Sequence, residues 1–347
     1  MLCFSCGKEP VVTSPTDVAP AGEILNLRGH LLSGRSFPVG EYGLYGAAHN
    51  YGDAFMWNDF ATHPSPFYLH NVNATLTDGK LVFSDIYRYP ITDYLSLLLY
   101  YPYHAAATPT SIPVGLKLDE PSPGVTLSYK YPDYMIGSKN DISVVGGTHE
   151  DQSEVSLTLR HLMARVHFRI KNPGVEAITL TYVRLNNITW EGTINPQITT
   201  SHGFFHPTGS PKNLMLIKSD GVVIDGTPSG SPVVPQYIPI DPKYNYSDEE
   251  AEAASLVYYD PASEYDYYLL VPPLEEVDLN EITLEIMVIQ GSSTTTHTIE
   301  MKQPGILTWE PGKSYCYTIT FNSFPITEVF GTIEPWQDDL FTGNVDL

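Results

Sequence analysis

Basic residues are scarce in this chain: 18 Lys and Arg stand against 40 Asp and Glu in 347 residues, a formal net charge of −22. So acidic a surface repels phosphate backbones and acidic bilayers, which sets aside nucleic-acid binding and membrane docking through a basic patch. Cysteine is scarcer still. Cys3, Cys6 and Cys316 make neither a disulfide framework nor a zinc ribbon, and no βαβ pattern surrounds Cys3-x-x-Cys6 to make it a redox pair. Long apolar runs are missing too. The longest, 94–103 (YLSLLLYYPY), falls well short of the roughly 18 residues of a membrane helix and suits a strand buried on both faces.

Helical periodicity is almost absent. Only 247–258 opens with a capping box, Ser247 as N-cap and Glu250 three residues on, which predicts one short helix. No phosphate loop, Gly-x-Ser-x-Gly elbow or HExxH helix occurs. The eleven histidines lack ligand spacing; His202-x-x-x-His206 has the helical interval, but Gly203 and Pro207 oppose a helix there. The acidic tracts at 248–252 and 260–266 lack an Asp-x-Asp-x-Asp-Gly loop. The chain is therefore expected to have no catalytic residue, no metal site and no cofactor, and not to be an enzyme.

What is present is β-forming. The 24 tyrosines, 26 glycines and 29 prolines, among Thr, Val and Ile runs, favour an all-β architecture, and the length suffices for two domains. Residues 37–47 (FPVGEYGLYGA) space glycines between aromatics, as in a strand whose backbone lies close to a neighbour. Residues 48–70 read as a long loop. Asp78-Gly79 sits between alternating stretches and predicts a hairpin, as does Gly291-Ser292.

In 155–171 (VSLTLRHLMARVHFRIK), Leu157, Leu159 and His161 share one parity, while Leu162, Ala164, Val166, Phe168 and Ile170 share the other. One strand cannot bury both sets, so a bulge or turn belongs at His161–Leu162. Near the C-terminus, 307–336 (LTWEPGKSYCYTITFNSFPITEVFGTIEPW) reads as a Pro-Gly-Lys turn, a strand alternating through Tyr315, Tyr317, Ile319 and Phe321, a break, and a second strand reaching Ile333 and Trp336.

That hairpin resembles the end of the fimbrillin (Mfa-like) family of surface lipoproteins and pilus subunits of Bacteroidales-type bacteria. The segment LTLRHLMARVHFRI resembles the family's central strand. FPVGEYGLY, NATLTDGKLVF, LSLLLYYPY and DYMIGSKND fall in the order of its N-terminal domain. The resemblance implies two consecutive antiparallel β-sandwich domains, transthyretin-like or Greek-key, at 24–154 and 155–347. Residues 1–23 then read as a signal-peptide remnant and tether.

Ser5-Cys6-Gly7 resembles a bacterial lipoprotein processing site, which implies lipid on Cys6 and anchoring at the outer membrane. The family further implies a structural or adhesive subunit whose partners are other pilus subunits and, by adhesion, a host or bacterial surface glycan or protein. Pilin-type members lose a first strand to an Arg-specific protease and take a strand from the next subunit. Here Arg35, in a Ser-Gly-Arg-Ser turn, and Arg28, inside the candidate strand 24–32, are the processing candidates; the donor candidates lie after Phe330, with Ile333 and Trp336. Two other readings stand beside this one: a glycan-binding lipoprotein that never polymerises, with Trp57, Phe60 or Tyr68 as stacking aromatics, and a hydrolase built on paired carboxylates.

Overall fold

The structure is a computed structural model that describes residues 28–31, 40–51, 56–58, 67–77, 80–115, 117–118, 129–130, 133–143, 155–216, 222–238, 243–244, 268–322, 325–334 and 341–346. It is almost wholly β. The first half contributes β1 (Arg28–Leu31), β2 (Glu41–His49), β3 (Phe67–Thr77), β4 (Lys80–Phe83), β5 (Tyr94–Tyr101), β6 (Ile112–Val114), β7 (Lys117–Leu118), β8 (Tyr129–Lys130), β9 (Met135–Ser143) and β10 (Val155–His161).

The next strands are β11 (Ala164–Lys171), β12 (Ile178–Ile188), β13 (Gly192–Ile194), β14 (Phe205–Pro207), β15 (Lys212–Met215), β16 (Val222–Ile224), β17 (Gln236–Tyr237), β18 (Lys243–Tyr244) and β19 (Tyr268–Val271). One helical turn, α1 (Glu276–Leu279), precedes β20 (Thr283–Gln290), β21 (Ser293–Glu300), β22 (Ser314–Phe321), β23 (Ile326–Glu334) and β24 (Phe341–Asp346). The predicted helix at 247–258 lies outside the described residues, and α1 arises where no helix was expected.

The first unit is one closed sheet in the order β1-β24-β10-β9-β5-β2-β3-β4. Its middle strand, β5, is buried on both faces because each face has its own core. Leu95, Leu97 and Leu99 pack with Leu44, Leu157 and Leu159, whereas Leu98 and Tyr100 join the large core of the second unit. The expected close approach of β2 to its neighbour is real: a Cβ on Gly43 would lie 2.0 Å from Tyr100 Cε1. Tyr100 cannot readily yield, since its hydroxyl donates to Asn71 Oδ1 at 2.5 Å. Gly43→Val should therefore destabilise the protein by about 1–3 kcal/mol, read as a lowered denaturation midpoint. Gly115→Ala, where the nearest atom is 3.9 Å away, should leave the midpoint unchanged.

The second unit is a pair of sheets sharing one core. One runs β17-β11-β22-β23, with β19 also on β11; the other runs β18-β15-β12-β20-β21, with β16 also on β12. Val166, Phe168, Tyr315 and Tyr317 of the first face Leu180, Val183, Leu284 and Ile286 of the second. Most pairings are antiparallel, but β11 and β22 run parallel. Both predicted hairpins form, with Thr77 opposite Lys80 and Gln290 opposite Ser293. The loop expected at 48–70 is shorter at both ends, because Ala48 and His49 pair with Leu95 and Tyr94, and Phe67 and Leu69 pair with Ala47 and Gly46.

The parity change at His161–Leu162 is a passage from one sheet to another. β10 pairs with β9 in the first sheet, and β11, two residues later, lies in the second unit. Leu157 and Leu159 are spent on the first unit's core, and Leu162 packs in the second's. Nor do the units part cleanly elsewhere. β6 pairs with β13, and β24 returns from the far end of the chain to the first sheet.

Candidate functional site: the seam closed by the last strand

β24 lies between β10 and β1, which are not paired to each other. Along one side Val155, Leu157 and Leu159 stand opposite Val345, Gly343 and Phe341; along the other, Arg28, Gly29, His30 and Leu31 stand opposite Asp346, Val345, Asn344 and Gly343. The only other register pair of β1 among the described residues is Arg28 opposite Lys80. β1 is therefore held to the unit chiefly through β24. Without the last strand, β10 and β1 would each present a row of unpaired main-chain groups, the feature that templates strand addition.

A clamp fixes the two units beside this seam. Leu162 N–H donates to Tyr134 O at 2.7 Å, Gly312 N–H to Met163 O at 2.8 Å, and Arg165 N–H to Lys313 O at 2.9 Å. The turn predicted at Pro311-Gly312 thus grips the crossover. Gly312 takes φ +69°, a left-handed value that favours glycine, and a Cβ there would also approach His161 O at 3.3 Å. His161 Nδ1 lies 2.8 Å from Asp133 Oδ2. Glu310 secures the turn's other side, accepting from Ser201 N–H at 2.7 Å and Thr308 Oγ1 at 3.1 Å.

Below the turn, β11 and β22 carry a buried polar set. Ser314 Oγ accepts from Arg165 Nε at 3.1 Å and lies 2.8 Å from His167 Nε2. Burial, and then the neighbouring Arg165 and Arg169, hold the His167 pKa down at about 3. The Cys316 thiol is pushed up to about 11, by burial and then by Glu334, so it is a packed side chain and no nucleophile.

Of the residues singled out in the sequence, Arg28 opens β1, while Arg35, Cys6 and Trp336 lie outside the described residues. Ile333 is in β23, opposite Tyr315, so it is already paired within the second unit's own sheet. The portion of the C-terminal segment that reaches the first unit is 341–346. His202 stands 3.1 Å from Glu275, whose carboxyl pKa is lowered by the Gly203 N–H and by His202; this is a surface contact. No group of three metal-ligating side chains occurs among the described residues. Trp57 is buried and Tyr68 is partly buried, its hydroxyl donating to Arg88 O, so neither is an open stacking surface. The docking of β24 was not legible in the sequence, because FTGNVD is short and its strand formers, Phe341, Thr342 and Val345, are interrupted by Gly343 and Asn344.

The sequence profile of the fimbrillin-like family matches residues 48–336. No curated protein matches the chain. Among solved structures, a candidate cell adhesion protein of Bacteroides uniformis is similar, at TM-score 0.50 and 16% identity, covering 90% of this chain and 97% of its own. A fimbrial protein of Bacteroides vulgatus has TM-score 0.42 and 13% identity, covering 85% and 92%. The tip fimbrial protein of Porphyromonas gingivalis, C-terminally truncated, has TM-score 0.40 and 10% identity, covering 90% and 100%. The likeness to the first of these is one of fold.

Proposed function

The chain belongs to the fimbrillin-like family, and we propose that it is a structural or adhesive subunit joined to its neighbours by strand exchange at the first unit's seam. Family membership makes it a fimbrial, cell-surface type of protein. The observation that carries the finer reading is the docking of β24: a strand from the far end of the chain completes the first sheet and holds β1 in it. A strand delivered over such a distance in one molecule can be delivered by the next. Main-chain hydrogen bonds supply the affinity, and the alternating side chains supply the register.

Processing follows the same logic. Cleavage after Arg35 would release β1, and the opened seam would then accept a strand from a second copy. The subunit performs no chemistry of its own in this reading. Treatment of the purified protein with an Arg-specific protease, followed on a denaturing gel without boiling, should give ladders that disappear in Arg35→Ala and persist in Arg28→Ala. A clean cut at Arg35 that leaves a monomer at high concentration counts against exchange and favours the glycan-binding lipoprotein that does not polymerise. Anchoring at the outer membrane is assigned to lipid on Cys6. In cells, Cys6→Ala should move the protein from the membrane fraction to the soluble one, because stable anchoring needs more than one acyl chain; unchanged partitioning refutes the anchor.

A further inference from the structure

At one end of the first unit, Tyr51 just past β2, Asp93 and Tyr94 at the start of β5, and Asp141 in β9 are linked in one chain of contacts through His49. We propose that they form a binding platform for a neutral saccharide, a reading that stands whether or not the chain polymerises. Tyr51 stands two residues beyond the end of β2 and is 82% exposed. It is nonetheless fixed in place: its N–H donates to Asp93 Oδ2 at 2.8 Å, and its ring lies 6.4 Å from that of Tyr94. The Tyr94 ring in turn lies 5.6 Å from His49.

The other wall is a bulge. Leu97 stands opposite Lys139 and Leu95 opposite Ile142, so Asn140 and Asp141 together face Ser96 alone. Asp141 takes φ +57°, a left-handed value that costs a residue with a side chain some strain. The strain is held by buried groups. Asp141 N–H donates to Ser96 Oγ at 3.1 Å, and His49 Nε2 lies 3.0 Å from the same hydroxyl and 3.4 Å from Asp141 Oδ1. Asn140 Oδ1 accepts the indole N–H of buried Trp57 at 3.1 Å. Buried His49 and Ser96 thus hold up a carboxylate that is itself 67% exposed. Bulges that re-aim a side chain in this way concentrate at sites.

The chemistry matches a pyranose ring. Its C–H face stacks on an exposed aromatic, and its hydroxyls donate to carboxylates, which only accept. Two carboxylates on a chain of net charge −22 repel sialylated and sulfated sugars, so the ligand is neutral. Hydrolysis through a Ser-His-Asp relay does not fit. Ser96 Oγ and Asp141 Oδ1 approach the same nitrogen of His49, whereas the relay needs opposite ones, and Ser96 is fully buried. The group holds a ligand and does not attack it.

The test uses the full chain on an array of neutral oligosaccharides ending in glucose, galactose, mannose or N-acetylglucosamine, with sialylated and sulfated counterparts alongside. The protein should bind at least one neutral class. Tyr51→Ala should weaken that binding by about tenfold, and Tyr51→Phe should keep it within about threefold, since the stacking face survives. Asp141→Asn, which tolerates the left-handed backbone, should weaken it without lowering the denaturation midpoint. Binding to no neutral sugar, binding to acidic sugars alone, or full binding by Tyr51→Ala would each overturn the platform.

Discussion

Truncation of the chain before Phe341 should split its unfolding into two transitions, with the first unit melting early and the second near its original midpoint. β24 bonds to β10 and β1 on its two sides. Each main-chain hydrogen bond contributes about 0.5–1.5 kcal/mol net, so several on each side amount to much of a domain's stability of about 5–15 kcal/mol. The second unit keeps its sheets and its shared core, because β23, ending at Glu334, remains paired with β22. The truncated chain should also bind a synthetic peptide spanning 335–347, which restores the lost transition. A truncated monomer that melts in a single unshifted transition and ignores the peptide would remove the seam from the proposal. This outcome is separate from the protease test, since self-closure by β24 can hold even where no cut at Arg35 leads to polymers.

Legibility in the sequence followed the reach of the interaction. Elements set by local alternation or turn chemistry were readable: the hairpin at Asp78-Gly79, the doubly buried β5, and the Pro311-Gly312 turn with positive φ at Gly312. The parity conflict around His161 was also visible, but its resolution was not. Alternation says that two faces are buried and cannot say that they belong to two different sheets. The return of β24 depends on a partner hundreds of residues upstream and on main-chain bonds that any sequence can make. The saccharide platform was hidden for a related reason. The candidate aromatics Trp57 and Tyr68 were chosen by type, whereas exposure of Tyr51 and the bulge at Asp141 are set by strand register. Ile333 marks the same limit: it was legible as strand, but whether that strand was spare or already paired was not.

Acid should weaken the second unit through His167. Burial and the neighbouring Arg165 and Arg169 charges disfavour the imidazolium, and Ser314 Oγ, which accepts from Arg165 Nε–H, lies 2.8 Å from His167 Nε2. Protonation would add a third positive charge in a buried setting beside Arg165 and Arg169. With the folded-state pKa held at about 3 and the unfolded value near 6.5, the unfolded chain binds the extra proton between these pH values. The contribution of His167 is therefore complete above about pH 6.5 and is lost progressively as the pH falls toward 3. At pH 4.5 the loss should be about 2–3 kcal/mol, from roughly two pH units below the unfolded value at about 1.4 kcal/mol each. Urea midpoints of the wild type and of His167→Gln, compared at pH 7.5, 5.5 and 4.5, isolate this contribution from the carboxylates, which titrate in both proteins. The wild type should be the more stable at pH 7.5 and lose its advantage by pH 4.5, because glutamine cannot take up a charge as the pH falls. Parallel pH profiles for the two proteins would show that His167 is not held neutral by its surroundings.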